Sequence, residues 1–137
     1  MTDTLLQKIQ SCQRCIHRVR EIYSKSEIGF EDNFDAQDAA ILNLIRMCEL
    51  TIDIANLIVR RDKLGIPTSS AESFELLRQS KRIDRKLTSA MTAMVGFRNI
   101  AVHQYRELEL SIVLSVIKTG MDDVIVFIDH LLETEGD

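Results

Sequence analysis

The chain has 137 residues, a formal net charge of −4, 45% hydrophobic and 5% aromatic residues, and a single proline, Pro67. That length accommodates one domain with a real core and excludes two, while the composition favours helices over sheets. No basic-then-apolar leader opens the chain and no apolar run approaches the roughly 20 residues that span a bilayer, so the expectation is a cytoplasmic all-α protein, one domain over residues 1–137, without a membrane partner.

Residues 3 to about 26 place Leu5, Ile9, Cys12, Ile16, Val19 and Tyr23 at helical spacing, which predicts a first helix. EIGFEDNFD (27–35) combines glycine, asparagine and four acids, a loop ending in Asp35 as an N-cap. From Ala36 to about Leu64 no breaker occurs, and Ala40, Leu44, Met47, Ile54, Leu57 and Ile58 form the stripe of a long second helix. Gly65, Pro67, Thr68 and Ser69 then stop the chain and restart it.

A short third helix covers about Ser70 to Gln79 with Phe74 and Leu77 facing inward, and the charged bend KRIDRK follows. The fourth runs from 85 to about 104 through Leu87, Met91, Met94 and Val95, with Gly96 as a point of close helix approach. The fifth, from about Glu107 to Leu132, sets Ile112, Val116, Ile117, Val124, Phe127 and Leu131 on one side, and Gly120 is a place for it to bend. No internal repeat is visible, so the architecture is a bundle of four main helices and one short one.

Cys12, Cys15 and Cys48 cannot all pair within one chain, and reduced thiols are expected. Cys12 and Cys15 form a CxxC with His17 close by, but no second ligand pair follows at a suitable spacing, so no metal is assigned. His130 is read as a surface or interface residue. Between Arg60 and Lys86, eight basic residues face four acids, a local charge of +4 that leaves −8 on the rest. Such a run makes a basic rim on one face or a solvated helical surface, and both readings stand.

The segment with chemistry is RNIAVHQY, Arg98 to Tyr105. Arg98 is a fixed cation suited to phosphate, His103 is an imidazole able to give or take a proton, and Tyr105 adds a hydroxyl. On an ideal helix at about 100° per residue, Arg98 and Tyr105 fall within about 20° of each other, whereas Arg98 and His103 lie about 140° apart. Either the helix loosens near His103, or a second copy of the segment across a two-fold axis completes the site. A structural reading has Arg98 pairing with an acid such as Asp53, and Tyr105 anchoring the helix end by a hydrogen bond.

RNIAVHQY resembles the RX4HXY motif of HepT-like HEPN proteins, with Arg98, His103 and Tyr105 in its three defining positions. Met94-Val95-Gly96-Phe97 before it, TIDIANLIV (51–59) and GIPTSSAESFELL (65–77) are also similar to the family, in order along most of the chain. The resemblance implies a four- to five-helix HEPN bundle that forms a homodimer through the motif helix, with two motifs lining one cleft. It implies a metal-independent, cofactor-free endoribonuclease, the toxin of a toxin-antitoxin pair, acting on RNA and not DNA. Arg98 and His103 are then catalytic, with Asp53 and Asn99 supporting them. The partner is an MNT-type nucleotidyltransferase antitoxin that silences the toxin by attaching AMP to Tyr105. The alternative is a silent HEPN partner that serves as substrate and regulator of a toxic transferase.

Overall fold

The structure is a computed structural model describing residues 1–135. Its helices are α1 (Asp3–Ser26), α2 (Phe34–Arg61), α3 (Ser70–Gln79), α4 (Arg85–His103), α5 (Leu110–Ser115) and α6 (Met121–Glu135), with α5 and α6 joined by a π-helical turn, Val116–Gly120. The α5–α6 rod corresponds to the single fifth helix expected from the sequence.

α1 and α2 pack as an antiparallel pair, Lys8 meeting Asp53 and Cys12 meeting Met47 across it. α2 also packs on α3 and α4, and α4 on α6, which places α2 at the centre of the bundle. Most of the predicted stripes are buried, namely Leu5, Ile9, Cys12, Ile16 and Val19 from α1, Ala40, Leu44, Met47, Ile54 and Ile58 from α2, and Val124, Phe127 and Leu131 from α6, while Tyr23, Leu57 and Ile112 are half-buried at their margins. Phe74 stands edge-on to Phe127, centroids 5.7 Å apart, fixing the short α3 against the rod. Among the described residues, no helix is long and apolar enough to cross a membrane.

Helix ends depart from expectation where the capping residue is not the obvious one. Asn33, not Asp35, caps α2, its side chain accepting a hydrogen bond from the Ala36 N–H at 3.0 Å. Phe30 is buried against Tyr23 and turns the loop through a 3-10 segment, so α2 starts at Phe34. At its other end α2 stops at Arg61 rather than near Leu64, because Lys63 adopts a left-handed conformation (φ 53°). The Leu64 N–H then reaches back to the Val59 carbonyl and the Lys63 N–H to the Arg60 carbonyl, the paired closure of a Schellman motif. Lys81 (φ 63°) closes α3 identically, with bonds from Arg82 to Leu77 and from Lys81 to Arg78.

The close approach expected at Gly96 is found at Gly120 instead. Gly96 faces open space, with no atom within 4 Å of where a Cβ would stand. Gly120 is the close approach: a Cβ there would meet the Met94 side chain at 2.9 Å, which fits α4 against the π turn.

The basic run from Arg60 to Lys86 does not form one free rim. Arg61 binds Asp62 and Glu135, Arg82 also binds Asp62, and Arg78 pairs with Glu75. The Arg82–Asp62 and Arg61–Glu135 pairs tie the end of α2 to the α3–α4 bend and to the end of α6. The Arg82 carbonyl adds a 2.6 Å hydrogen bond with His130 Nε2, so His130 is a half-buried strut rather than a free surface group.

Candidate active site

α4 begins at Asp84, whose side chain caps the Leu87 N–H at 2.8 Å, and its apolar face (Met91, Met94, Val95, Phe97, Ala101) is buried in the bundle. Thr92, Gly96, Asn99 and His103 lie on the opposite, exposed face. Three of the four are small or short, so this face is smooth, and it ends in an imidazole. Val102 beside it is 44% exposed.

Arg98 sits at the margin of the two faces, half-buried. Its Nη1 donates to Asn99 Oδ1 at 3.0 Å, so the two side chains are in contact. Its Nε is buried and makes no hydrogen bond, an arrangement that costs about 1–3 kcal/mol in a single chain. The guanidinium is near enough to Cys48 on α2 to act on its thiol, which burial nevertheless pushes up to about 12. Arg98 is thus anchored against α2 with donor capacity unused.

His103 is the last residue of α4 and is exposed. Gln104 leaves helical geometry (φ −135°, ψ 43°) while its N–H still reaches the Ile100 carbonyl at 2.8 Å. Tyr105 therefore lies in a 3-10 turn, Tyr105–Glu107, and not on the face of Arg98 that a continuous helix would give it. Arg98 and His103 remain five positions apart within α4, about 140° around its axis. No hydrogen bond joins the two side chains within one chain.

Tyr105 has a partner that the sequence reading did not contain. Its hydroxyl donates to Asp38 Oδ1 of α2 at 2.7 Å, a contact between residues 67 positions apart. The carboxylate raises the phenol pKa above its ordinary value, chiefly through that hydrogen bond, with burial adding to it. Tyr105 is nonetheless 49% exposed. The anchoring hydrogen bond foreseen for it exists, yet the hydroxyl stays accessible.

Asp53 is placed differently from its expected role. Its carboxylate takes the Lys8 ammonium at 3.3 Å across α1 and α2, and neither Arg98 nor His103 is among its hydrogen-bond partners. Cys12 and Cys15 are buried on α1 while His17 points to solvent. The Cys12 thiol lies 3.8 Å from the Met47 carbonyl and 3.7 Å from Thr51 Oγ1, and burial pushes its pKa up to about 12. The CxxC is packing between α1 and α2.

An all-α bundle whose fourth helix ends on the R-x4-H of R-x4-H-x-Y, with the histidine on an exposed face and the tyrosine in the turn just beyond, defines a HEPN domain. The sequence pattern of the family described as Ribonuclease HepT-like matches residues 12–131. The chain belongs to that family. It is 46% identical over 129 residues to the "mRNA nuclease HepT" of Shewanella oneidensis, covering 94% of this chain and 96% of that protein. Its fold is similar to a solved structure of a tri-AMPylated Shewanella oneidensis HEPN toxin in complex with its MNT antitoxin, with a TM-score of 0.90 at 46% identity, covering 96% of this chain and 98% of the other. A toxin-antitoxin structure with AMP-PNP is comparably similar, with a TM-score of 0.90 at 45% identity and coverage of 95% and 98%.

Proposed function

We propose that this chain is the toxin of a HEPN/MNT toxin-antitoxin pair, a cytoplasmic, metal-independent endoribonuclease acting as a homodimer of one HEPN domain per chain and silenced by AMP transfer to Tyr105. The observation that carries this reading is 46% identity to an mRNA nuclease along 94% of the chain, with Arg98, His103 and Tyr105 each in its motif position. The relative's name makes messenger RNA the first substrate to test.

The exposed α4 face supports the dimer. A two-fold contact along Thr92, Gly96 and Asn99 brings two copies of the segment together and supplies two histidines and two arginines to one cleft. Such a cleft supplies what the 140° separation within one helix does not. One imidazole takes the proton from the ribose 2′-hydroxyl, whose oxygen attacks the adjacent phosphorus; the other protonates the departing 5′-oxygen. Arg98 holds the non-bridging oxygens as charge builds on them. The products are a 2′,3′-cyclic phosphate and a 5′-hydroxyl.

Base, acid and cation all come from side chains, so cleavage is expected to persist at full rate in excess EDTA. End-group analysis of the fragments should show cyclic phosphate on the upstream piece. A 3′-hydroxyl with a 5′-phosphate, or loss of activity on chelation restored by a divalent ion, is the outcome that overturns this chemistry.

AMP on Tyr105 would set a phosphodiester anion two residues from His103. That group repels the RNA backbone and occupies space at the cleft's edge. The reading of the chain as a non-catalytic partner leaves the Arg98 and His103 pair without a task.

A further inference from the structure

The Tyr105–Asp38 contact has no part in RNA cleavage as derived above, and it is built with more care than a surface hydrogen bond requires. Asp38 stands in the second turn of α2, and that turn is held from several sides. Asn33 caps it, and the Gln37 side chain donates to the Phe30 and Glu31 carbonyls at 2.9 and 3.0 Å. Phe30 itself is locked under Tyr23, ring centroids 5.3 Å apart. The Tyr105 side is closed by backbone bonds from Glu107 to Gln104 (2.8 Å) and from Leu108 to Tyr105 (3.1 Å). Two hydrogen-bonded turns thus present one carboxylate oxygen to one phenolic proton at 2.7 Å, within the range of a charge-assisted hydrogen bond.

Resting on the assignment of Tyr105 as the AMP acceptor, we propose that Asp38 is the group that receives the phenolic proton when Tyr105 Oη attacks the α-phosphorus of ATP. In that step the Oη–P bond forms, the bond from the α-phosphorus to the bridging oxygen breaks, pyrophosphate leaves, and the Oη proton passes to the Asp38 carboxylate and then to water. Asp38 is exposed, so the last transfer is unobstructed.

The chemistry calls for such a group. With its pKa raised by the carboxylate, Tyr105 holds almost no free phenolate at neutral pH. Its proton must therefore leave as the new bond forms, and that is the condition under which a positioned base is effective. Once the oxygen is esterified it loses its basicity, which drives the transfer to completion. As a purely structural contact the pair has little to contribute, because water competes with a hydrogen bond at an exposed position. The other titratable groups nearby in the chain are His103, Arg106 and Glu107 beside Tyr105 and Asp35 one turn before Asp38; none of them is hydrogen-bonded to the phenol.

The test is AMP addition to this chain by the MNT-type transferase and ATP, followed by intact mass. Asp38→Asn keeps an oxygen that accepts a hydrogen bond but cannot take a proton. Its rate at about pH 7 is expected to fall by about a hundredfold or more, with the KM for this chain unchanged. The deficit against wild type should narrow by about tenfold per pH unit towards pH 9, as pre-formed phenolate replaces the missing base. Asp38→Glu should recover much of the rate, with a ratio to wild type that does not change with pH. An asparagine variant modified within about threefold of wild type, or slowed equally at every pH, overturns the proposal. Should that variant fail to fold, the glutamate variant decides alone, a ratio that narrows with pH being the contrary result. Wild-type protein left unmodified is a different failure, since it removes the assignment of Tyr105 itself.

Discussion

His103→Ala is expected to lower RNA cleavage by about a thousandfold or more while leaving the helical fold and its melting temperature nearly unchanged. A positioned acid or base contributes about 10²–10⁴ to rate, and a homodimer loses both imidazoles at once. The fold is spared because His103 is exposed at the last position of α4, where it packs against nothing that the core needs. Arg98→Ala should be comparably damaging, since stabilisation of a developing oxyanion is worth about 10²–10³. Arg98→Lys keeps a charge but loses the two-pronged grip and should recover only part of the rate. Cleavage of a labelled RNA, with circular dichroism of each variant, reads both effects. Activity within about tenfold of wild type in both alanine variants would move the site elsewhere.

The second large effect concerns silencing. Tyr105→Phe removes the single side-chain hydroxyl of the motif while keeping the ring, so intact mass after co-expression with the transferase should show no added AMP. Cells producing this variant should stay growth-inhibited in the presence of the transferase, whereas wild-type protein is silenced. The hydrogen bond to Asp38 is lost as well, but at an exposed position water replaces it and the fold should be kept. AMP appearing on the phenylalanine variant would place the modification on another residue.

The helices were legible because their burial follows period: Leu5, Ile9, Cys12, Ile16 and Val19 line up in the sequence as they do in the core. Ends were less legible because the left-handed residues that close α2 and α3 are Lys63 and Lys81, and a lysine does not announce that conformation as glycine does. Gly65, two residues later, drew the boundary outward. Gly96 and Gly120 illustrate a related difficulty, since sequence does not tell a glycine that admits a neighbour from one that faces solvent. Arg98, His103 and Tyr105 were visible as a motif, and their divergence around α4 followed from helix geometry alone. Asp38 was invisible. It is one acid among several near the start of α2, and only the turn that begins after His103 brings Tyr105 to it. Asp53, expected to orient Arg98 or His103 from the neighbouring helix, pairs with Lys8 of α1.

The central claim is that two copies of RNIAVHQY build one cleft in which each histidine has its own task. It is tested most directly by mixing wild-type and His103→Ala chains, letting subunits exchange fully, and measuring RNA cleavage against the wild-type fraction. A dimer that needs both imidazoles loses activity as the square of that fraction, so an equal mixture should retain about one quarter of the wild-type rate. A linear fall, with about one half retained, would mean that each chain cleaves alone and would contradict the shared cleft.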